Sequence, residues 1–103
     1  MRIEYLNKDM SFGTGEDYKV RFRLIDTGTE RPVNALKDVG VLVFLPPGTW
    51  QQRQIAHPLD DGVYEITLNV QESGVYLLFV ESPSKRVRYR QLPYLTLHAN
   101  AAQ

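Results

Sequence analysis

The sequence predicts an all-β protein: an antiparallel sandwich of two sheets and about seven strands. Three observations lead there. Nearly every apolar stretch either alternates with period two or is a short continuous run of β-forming residues. Turn-forming clusters punctuate the chain at intervals of about eight to twelve residues. No segment carries a helical repeat of useful length, and the one helix-tolerant stretch, NALKDV (34–39), is too short to stand alone. A small closed barrel is the alternative arrangement of the same strands.

The elements follow in order. In YKVRFRLI (18–25), Tyr18, Val20, Phe22 and Leu24 alternate with Lys19, Arg21 and Arg23, the pattern of a half-buried strand. DTGTERP (26–32) is a turn, with Gly28 able to take positive φ and Pro32 fixing the exit. VGVLVFL (39–45) is apolar on both faces and therefore reads as a central strand, ended by Pro46, Pro47 and Gly48 because proline cannot donate to a ladder. TWQQRQI (49–55) is a weaker strand and HPLDDG (57–62) a loop. VYEITLNV (63–70) places Tyr64, Ile66, Leu68 and Val70 inward. QESG (71–74) turns into a second central strand, VYLLFVES (75–82). SPSK (82–85) turns again, RVRYRQL (86–92) alternates arginine with Val87 and Tyr89 as a further strand, and YLTLHA (94–99) closes the sheet. The expected organisation is one domain: an entry strand and loop over 1–17, with FGTG (12–15) flexible, a core sandwich over 18–98, and a frayed tail over 99–103.

The totals exclude several classes. At 103 residues and 43% hydrophobic content the chain can bury a core of its own. Lys and Arg number 12, as do Asp and Glu, so a general nucleic-acid binder, which needs a basic excess, is not expected. The absence of cysteine removes disulfides, thiol catalysis and cysteine-based zinc sites. No apolar run approaches the ~20 residues of a membrane span, and the first residues, MRIEYLNKDM, lack the apolar core of a signal peptide. Neither membrane insertion nor a signal peptide is expected of this chain.

Three stretches carry a resemblance. ESGVYLL (72–78) follows the acidic-x-Gly-x-Tyr pattern of the tyrosine corner of immunoglobulin-like sandwiches, with Tyr76 opening a late strand. DGVYEITLNVQESGVYLLFV (61–80) resembles the paired Gly-x-Tyr rhythm of filamin-type repeats and of many bacterial immunoglobulin-like modules. Asp26, Gly28, Pro32 and Val33 resemble the turn after the first long strand in bacterial modules of this broad kind, the YtkA/FixH-like domains among them. The resemblance covers about residues 18–98 and assigns no single family. It implies an immunoglobulin-like fold with Tyr64, Tyr76, Gly62 and Gly74 in structural roles. It also implies a non-enzymatic spacer or interaction module, usually periplasmic or extracellular. Where antibody-type domains carry a cysteine this chain has Leu78, and the run 39–45 lacks their core tryptophan.

Candidate chemistry is sparse. Asp60 and Asp61 beside Gly62 form either a turn or, with backbone carbonyls, part of a calcium loop; two carboxylates fall short of the six to eight oxygens that calcium takes. His57 and His98 with Met1 and Met10 are copper-type donors without a metal-ligand spacing. No G-x-S-x-G, phosphate loop or nucleophile–base pair is legible, so neither catalysis nor a cofactor is expected.

Lys85, Arg86, Arg88 and Arg90, with Arg21 and Arg23, make a cationic face if their strands are neighbours, suited to an acidic partner or an anionic glycan. Cross-strand acids such as Glu65 and Glu81 would neutralise it. Trp50 alternates with Gln52 and Gln54, so its face is not obviously core-directed. It is either a lid over one end of the sandwich, favoured because burial recovers apolar free energy, or an exposed contact. Candidate binding residues are therefore Trp50, Gln52, Arg53, Arg86, Arg88 and Arg90. The leading expectation is a protein–protein or domain-positioning module, monomeric or weakly oligomeric, within a larger exported bacterial protein. A carbohydrate or small-ligand site built on Trp50, Tyr89, Tyr94, Gln52 and Arg53 is the alternative.

Overall fold

The computed structural model describes residues 1–48 and 50–101. Its strands are β1 (Arg2–Tyr5), β2 (Ser11–Gly13), β3 (Tyr18–Asp26), β4 (Arg31–Pro32), β5 (Gly40–Leu45), β6 (Trp50–Ile55), β7 (His57–Pro58), β8 (Val63–Leu68), β9 (Gly74–Glu81) and β10 (Leu95–Asn100). They form two five-stranded sheets. The first has the order β1-β3-β8-β7, with β4 paired to the end of β3; the second has the order β2-β10-β9-β5-β6. Every named pairing is antiparallel except β2 with β10. The class is the expected all-β sandwich, and the strands beyond seven are the short pieces β2, β4 and β7.

Alternation builds the core. Val20, Phe22 and Leu24 of β3, Tyr64, Ile66 and Leu68 of β8, Val41, Val43 and Leu45 of β5, Tyr76, Leu78 and Val80 of β9, and Leu95, Leu97 and Ala99 of β10 are all buried. They meet between the sheets in one cluster. Burying about twenty such side chains is the main favourable term in the stability of the domain.

Three expectations change. FGTG (12–15) is not a free loop: β2 aligns in parallel with the last strand, His98 opposite Ser11 and Asn100 opposite Gly13, and the Thr14 and Gly15 amides donate to the Asn100 and Val70 carbonyls, so the entry segment staples itself to the second sheet. Residues 86–92 are not a strand. Pro83 opens a 3-10 turn over Pro83–Lys85, Arg86 takes a left-handed conformation (φ 57), and Ser82 and Val87 exchange backbone hydrogen bonds of 2.9 and 3.0 Å. A second turn follows, closed by the Gln91 amide donating to the Arg88 carbonyl. These closures consume the backbone groups that a strand would offer to neighbours, and only Val87 forms an isolated bridge, to Ser82. At the chain end, Ala99 and Asn100 belong to β10, while positions 102–103 of the expected tail lie outside the described residues.

Tyrosines tie the connecting segments to the core. The Tyr76 hydroxyl donates to the Glu72 carbonyl at 2.6 Å, the upstream bond that the tyrosine-corner pattern implied. The Tyr64 hydroxyl donates to the Val33 carbonyl at 2.7 Å and accepts from the Leu36 amide at 3.1 Å, which holds the 33–36 crossover. Tyr5 donates to the Pro93 carbonyl at 2.5 Å, and Tyr18 donates to the Asp9 carbonyl. Gly62 makes the tightest approach. At φ +70, a Cβ there would lie 2.7 Å from Pro32 Cβ in β4 and 3.0 Å from the Leu24 carbonyl oxygen in β3.

Two outcomes follow from these contacts. Gly62→Ala is expected to lower unfolding free energy by about 1–3 kcal/mol, measured by urea denaturation, because strain and overlap coincide. Burial raises the tyrosine hydroxyls, Tyr5 from 10.0 to about 12, and Tyr18, Tyr64 and Tyr76 in the same direction. Their neutral forms are thus favoured in the folded state. The stability they contribute is complete below the ordinary tyrosine value and is lost as pH rises through the folded values, so far-UV circular dichroism should record unfolding in strong base.

Candidate functional site

The two outer faces of the sandwich differ in kind. On the first sheet the outward positions are charged and matched. Arg21 sits opposite Glu65 and donates from Nε to Oε2 at 2.5 Å. Lys19 reaches the same carboxylate at 3.9 Å, and Arg23 lies 3.8 Å from Glu4, its register partner. The Arg21 hydrogen bond holds the Glu65 carboxyl below its ordinary value, with the Arg21 and Lys19 charges adding to it. Each cation of β3 on this face therefore has a carboxylate within ion-pair distance.

The second sheet turns apolar residues outward. Along β5, β9 and the start of β10 the outward positions are Leu42, Phe44, Val75, Leu77, Phe79 and Tyr94. Phe44 and Phe79 stack at 5.6 Å between ring centroids with planes 8° apart, and Phe79 meets Tyr94 at 5.4 Å. Val75 is 44% exposed, Tyr94 55%, and Ile55, on the same face of β6, 66%. An apolar patch spanning several strands of a surface sheet marks an interaction site more often than it serves the fold.

A basic turn borders this face. Lys85, Arg86, Arg88 and Arg90 are exposed on the segment joining β9 to β10, and Arg53 projects from β6 opposite Leu42. Arg86, Arg88 and Arg90 line a shallow depression of about 860 Å³ with Tyr89, Gln91 and Glu81. The expected joint face with Arg21 and Arg23 does not form, because those two lie on β3 of the other sheet. The turn is held by Asp38, just before β5. The Ser84 amide donates to Asp38 Oδ2 at 2.6 Å, the Ser84 hydroxyl to Oδ1 at 2.9 Å and the Ser82 hydroxyl to Oδ1 at 3.1 Å. These donors, the Ser84 amide first, keep the Asp38 carboxyl below its ordinary value.

Trp50 points the other way. It pairs with Leu45 and, like that residue, turns inward, where its ring meets Tyr76 edge-on at 5.4 Å between centroids. It is half-buried and packs on the core, which is the lid arrangement, and alternation alone misjudged its face because polar Gln52 and Gln54 share it. Gln54 spends its side chain on the fold: Nε2 donates to the Thr67 carbonyl at 2.9 Å, covering β8 where β7 no longer pairs with it. Gln52 is exposed on the edge strand. The carbohydrate platform sketched from sequence is therefore split, with Trp50 and Gln52 on one side of β6 and Arg53 with Tyr94 on the other.

His57 lies on β7 and His98 on β10, in different sheets. Asp61 takes φ 59, its carbonyl accepts from Arg23 Nε at 3.1 Å, and the Gly62 amide donates to Asn34, so the Asp60–Gly62 run is engaged as a turn. Among the described residues no three His, Cys, Asp or Glu side chains group as metal ligands.

Leu42, Phe44, Leu77 and Phe79 did not stand out in the sequence. A signal was present, since runs apolar on both faces are unusual where an antiparallel sheet covers only one.

No family model and no curated protein matches the chain. Among solved structures it is similar to the Lin-41 filamin domain, with a TM-score of 0.72 and 15% identity over 95% of this chain and 91% of that one. It also resembles, at a TM-score of 0.50 and 8% identity, the superoxide reductase (neelaredoxin) of Ignicoccus hospitalis, over 98% of this chain and 80% of that one. At these identities the likeness concerns fold. The chain has the filamin-type immunoglobulin-like sandwich.

The Asp38 contacts generate a pH signature. Asp38→Ala is expected to speed amide exchange at Ser84 and to lower stability at neutral pH. The group is depressed in the folded state, so its contribution is present above the ordinary aspartate value of 3.8 and is lost as pH falls through the lower folded value. The difference between wild type and variant should close in acid; an equal difference at all pH values would assign the effect to lost packing instead.

Proposed function

We propose that this domain is a non-catalytic immunoglobulin-like module that binds a protein partner or positions a neighbouring domain, as part of a larger exported bacterial protein. The observation that carries the reading is the contrast between its outer faces. One engages its cations in ion pairs, while the other leaves Phe44, Leu77, Phe79 and Tyr94 facing outward on a sheet. Rigid apolar anchors ringed by polar side chains are how a preformed protein interface is built. Likeness to a filamin domain supports a module of this type, and the resemblance to bacterial modules supports the exported setting.

Site-directed photocrosslinking tests this. A photoreactive phenylalanine at Tyr94 or Val75, in the native chain in its own cell, is expected to capture a polypeptide, either a partner or another domain of the same protein. The same label at Lys19, on the ion-paired face, is expected to capture none. Oligosaccharide binding lost on Tyr94→Ala, with no polypeptide adduct at either outer position, would overturn the reading in favour of a sugar-binding sandwich.

A further inference from the structure

The charge around the apolar face is as unequal as its burial. After Glu81 the chain contains no Asp or Glu, yet it carries Lys85, Arg86, Arg88 and Arg90. None of these, nor Arg53, forms an ion pair with a carboxylate among the described residues, whereas Arg2, Lys19, Arg21 and Arg23 all do. Two acids lie nearby, Asp38, whose carboxylate accepts from Ser82 and Ser84, and Glu81, which lines the depression beside Tyr89; neither comes within ion-pair distance of these cations. A chain with equal numbers of acids and bases thus gathers unmatched cations at one end of one face.

The basic depression and the apolar rows adjoin. Glu81 lies on the outward side of β9, two residues beyond Phe79, and lines the depression with Tyr89. Tyr89, Arg53, Gly40 and Ile55 also share a smaller hollow with Glu81, which joins the turn to the edge of the sheet. The backbone that carries Lys85, Arg86, Arg88 and Arg90 is set before any partner arrives, because Asp38 and the Ser82–Val87 exchange fix the turn. Preorganisation of this kind lowers the ordering cost of binding.

Charge and apolar surface together select the occupant. Phe44, Phe79 and Tyr94 pack on one another at 5.6 and 5.4 Å between centroids, beside arginines that have no carboxylate partner among the described residues. Such a surface suits a segment that carries both carboxylates and apolar side chains.

We infer that the outer face of the β2-β10-β9-β5-β6 sheet, with the basic turn at 85–90, docks an acidic segment of a partner protein. Its carboxylates meet Arg53, Arg86, Arg88 and Arg90, and its apolar side chains seat among Phe44, Leu77, Phe79 and Tyr94. This deepens the interaction-module reading and rests on it.

The probe is a short fluorescein-labelled peptide alternating glutamate with leucine, followed by anisotropy at low and moderate salt, with a lysine–leucine peptide and a heparin-derived oligosaccharide in parallel. The expected result is saturable, salt-sensitive binding of the acidic peptide alone. The double variant Arg88→Glu, Arg90→Glu should weaken it about tenfold or more, and Tyr94→Ala about threefold or more. Lys8→Glu, on a separate exposed segment, should leave it unchanged. Heparin binding that survives Tyr94→Ala would assign the cations to an anionic glycan and overturn the inference. So would absence of peptide binding, or self-association in sedimentation that disappears on Tyr94→Ala. Should the peptide fail while the Tyr94 photoadduct persists, the module reading stands and only the acidic chemistry falls. Failure of both removes the module reading as well.

Discussion

The bond on which this domain depends most is a tyrosine hydroxyl reaching from an apolar ring to a backbone carbonyl. Four such bonds recur, from Tyr5, Tyr18, Tyr64 and Tyr76. Each places a ring in or against the core and satisfies, at its polar tip, a carbonyl that a connecting segment would otherwise leave unpaired. Two long connections, the crossover before β5 and the link from β9 to β10, have little regular structure of their own, and these hydroxyls fix where they run. Without cysteine, the chain ties its loops by this means instead of by covalent bonds.

Fixed connections have a consequence for the outer faces. A sheet can present an ordered apolar surface to solvent only if its strands cannot slip in register or splay apart. Here β5 and β9 are central, held by β6 on one side and β10 on the other, and their inward residues are locked between the sheets. The other sheet carries its outward charge in cross-strand pairs, each worth little to stability, that bring every cation of β3 within reach of a carboxylate. The two outer faces thus differ, one ion-paired and one apolar. The basic turn is tied to the apolar side through the Asp38 contacts and the β9-to-β10 connection.

The fold was largely legible, and the reasons lie in particular residues. The strands β3, β8 and β10 alternate cleanly because one of their faces is covered and the other is not, which is what period two records. Tyr76 was legible because its corner motif is local, a hydroxyl bonded four residues back. By contrast β2 was hidden, since its only sheet partner is β10, some eighty-five residues later, and no local pattern encodes a distant parallel pairing. The run RVRYRQL mimicked a strand because arginine alternates with Val87 and Tyr89, while Pro83 and the left-handed Arg86 closed turns that alternation does not see. The candidate site was half legible. The arginines are visible as a cluster, but Phe44 and Phe79 fall within apolar runs that read simply as central strands. Hydrophobicity tells where water is disfavoured, not whether this chain or another one covers the residue.

The parallel pairing of β2 with β10 has a mechanical meaning. Tension on the two sides of the domain pulls β2 backward along its own direction and β10 forward along the same line, because the strands run side by side in one sense. Force then acts along the strands, as shear. The Thr14 amide to the Asn100 carbonyl and the His98 amide to the Met10 carbonyl are loaded together, instead of opening one after another as in an unzipped hairpin. Resistance to stretching in this domain accordingly resides in this three-residue strand together with the β1–β3 ladder, through which tension at the N-terminus first passes.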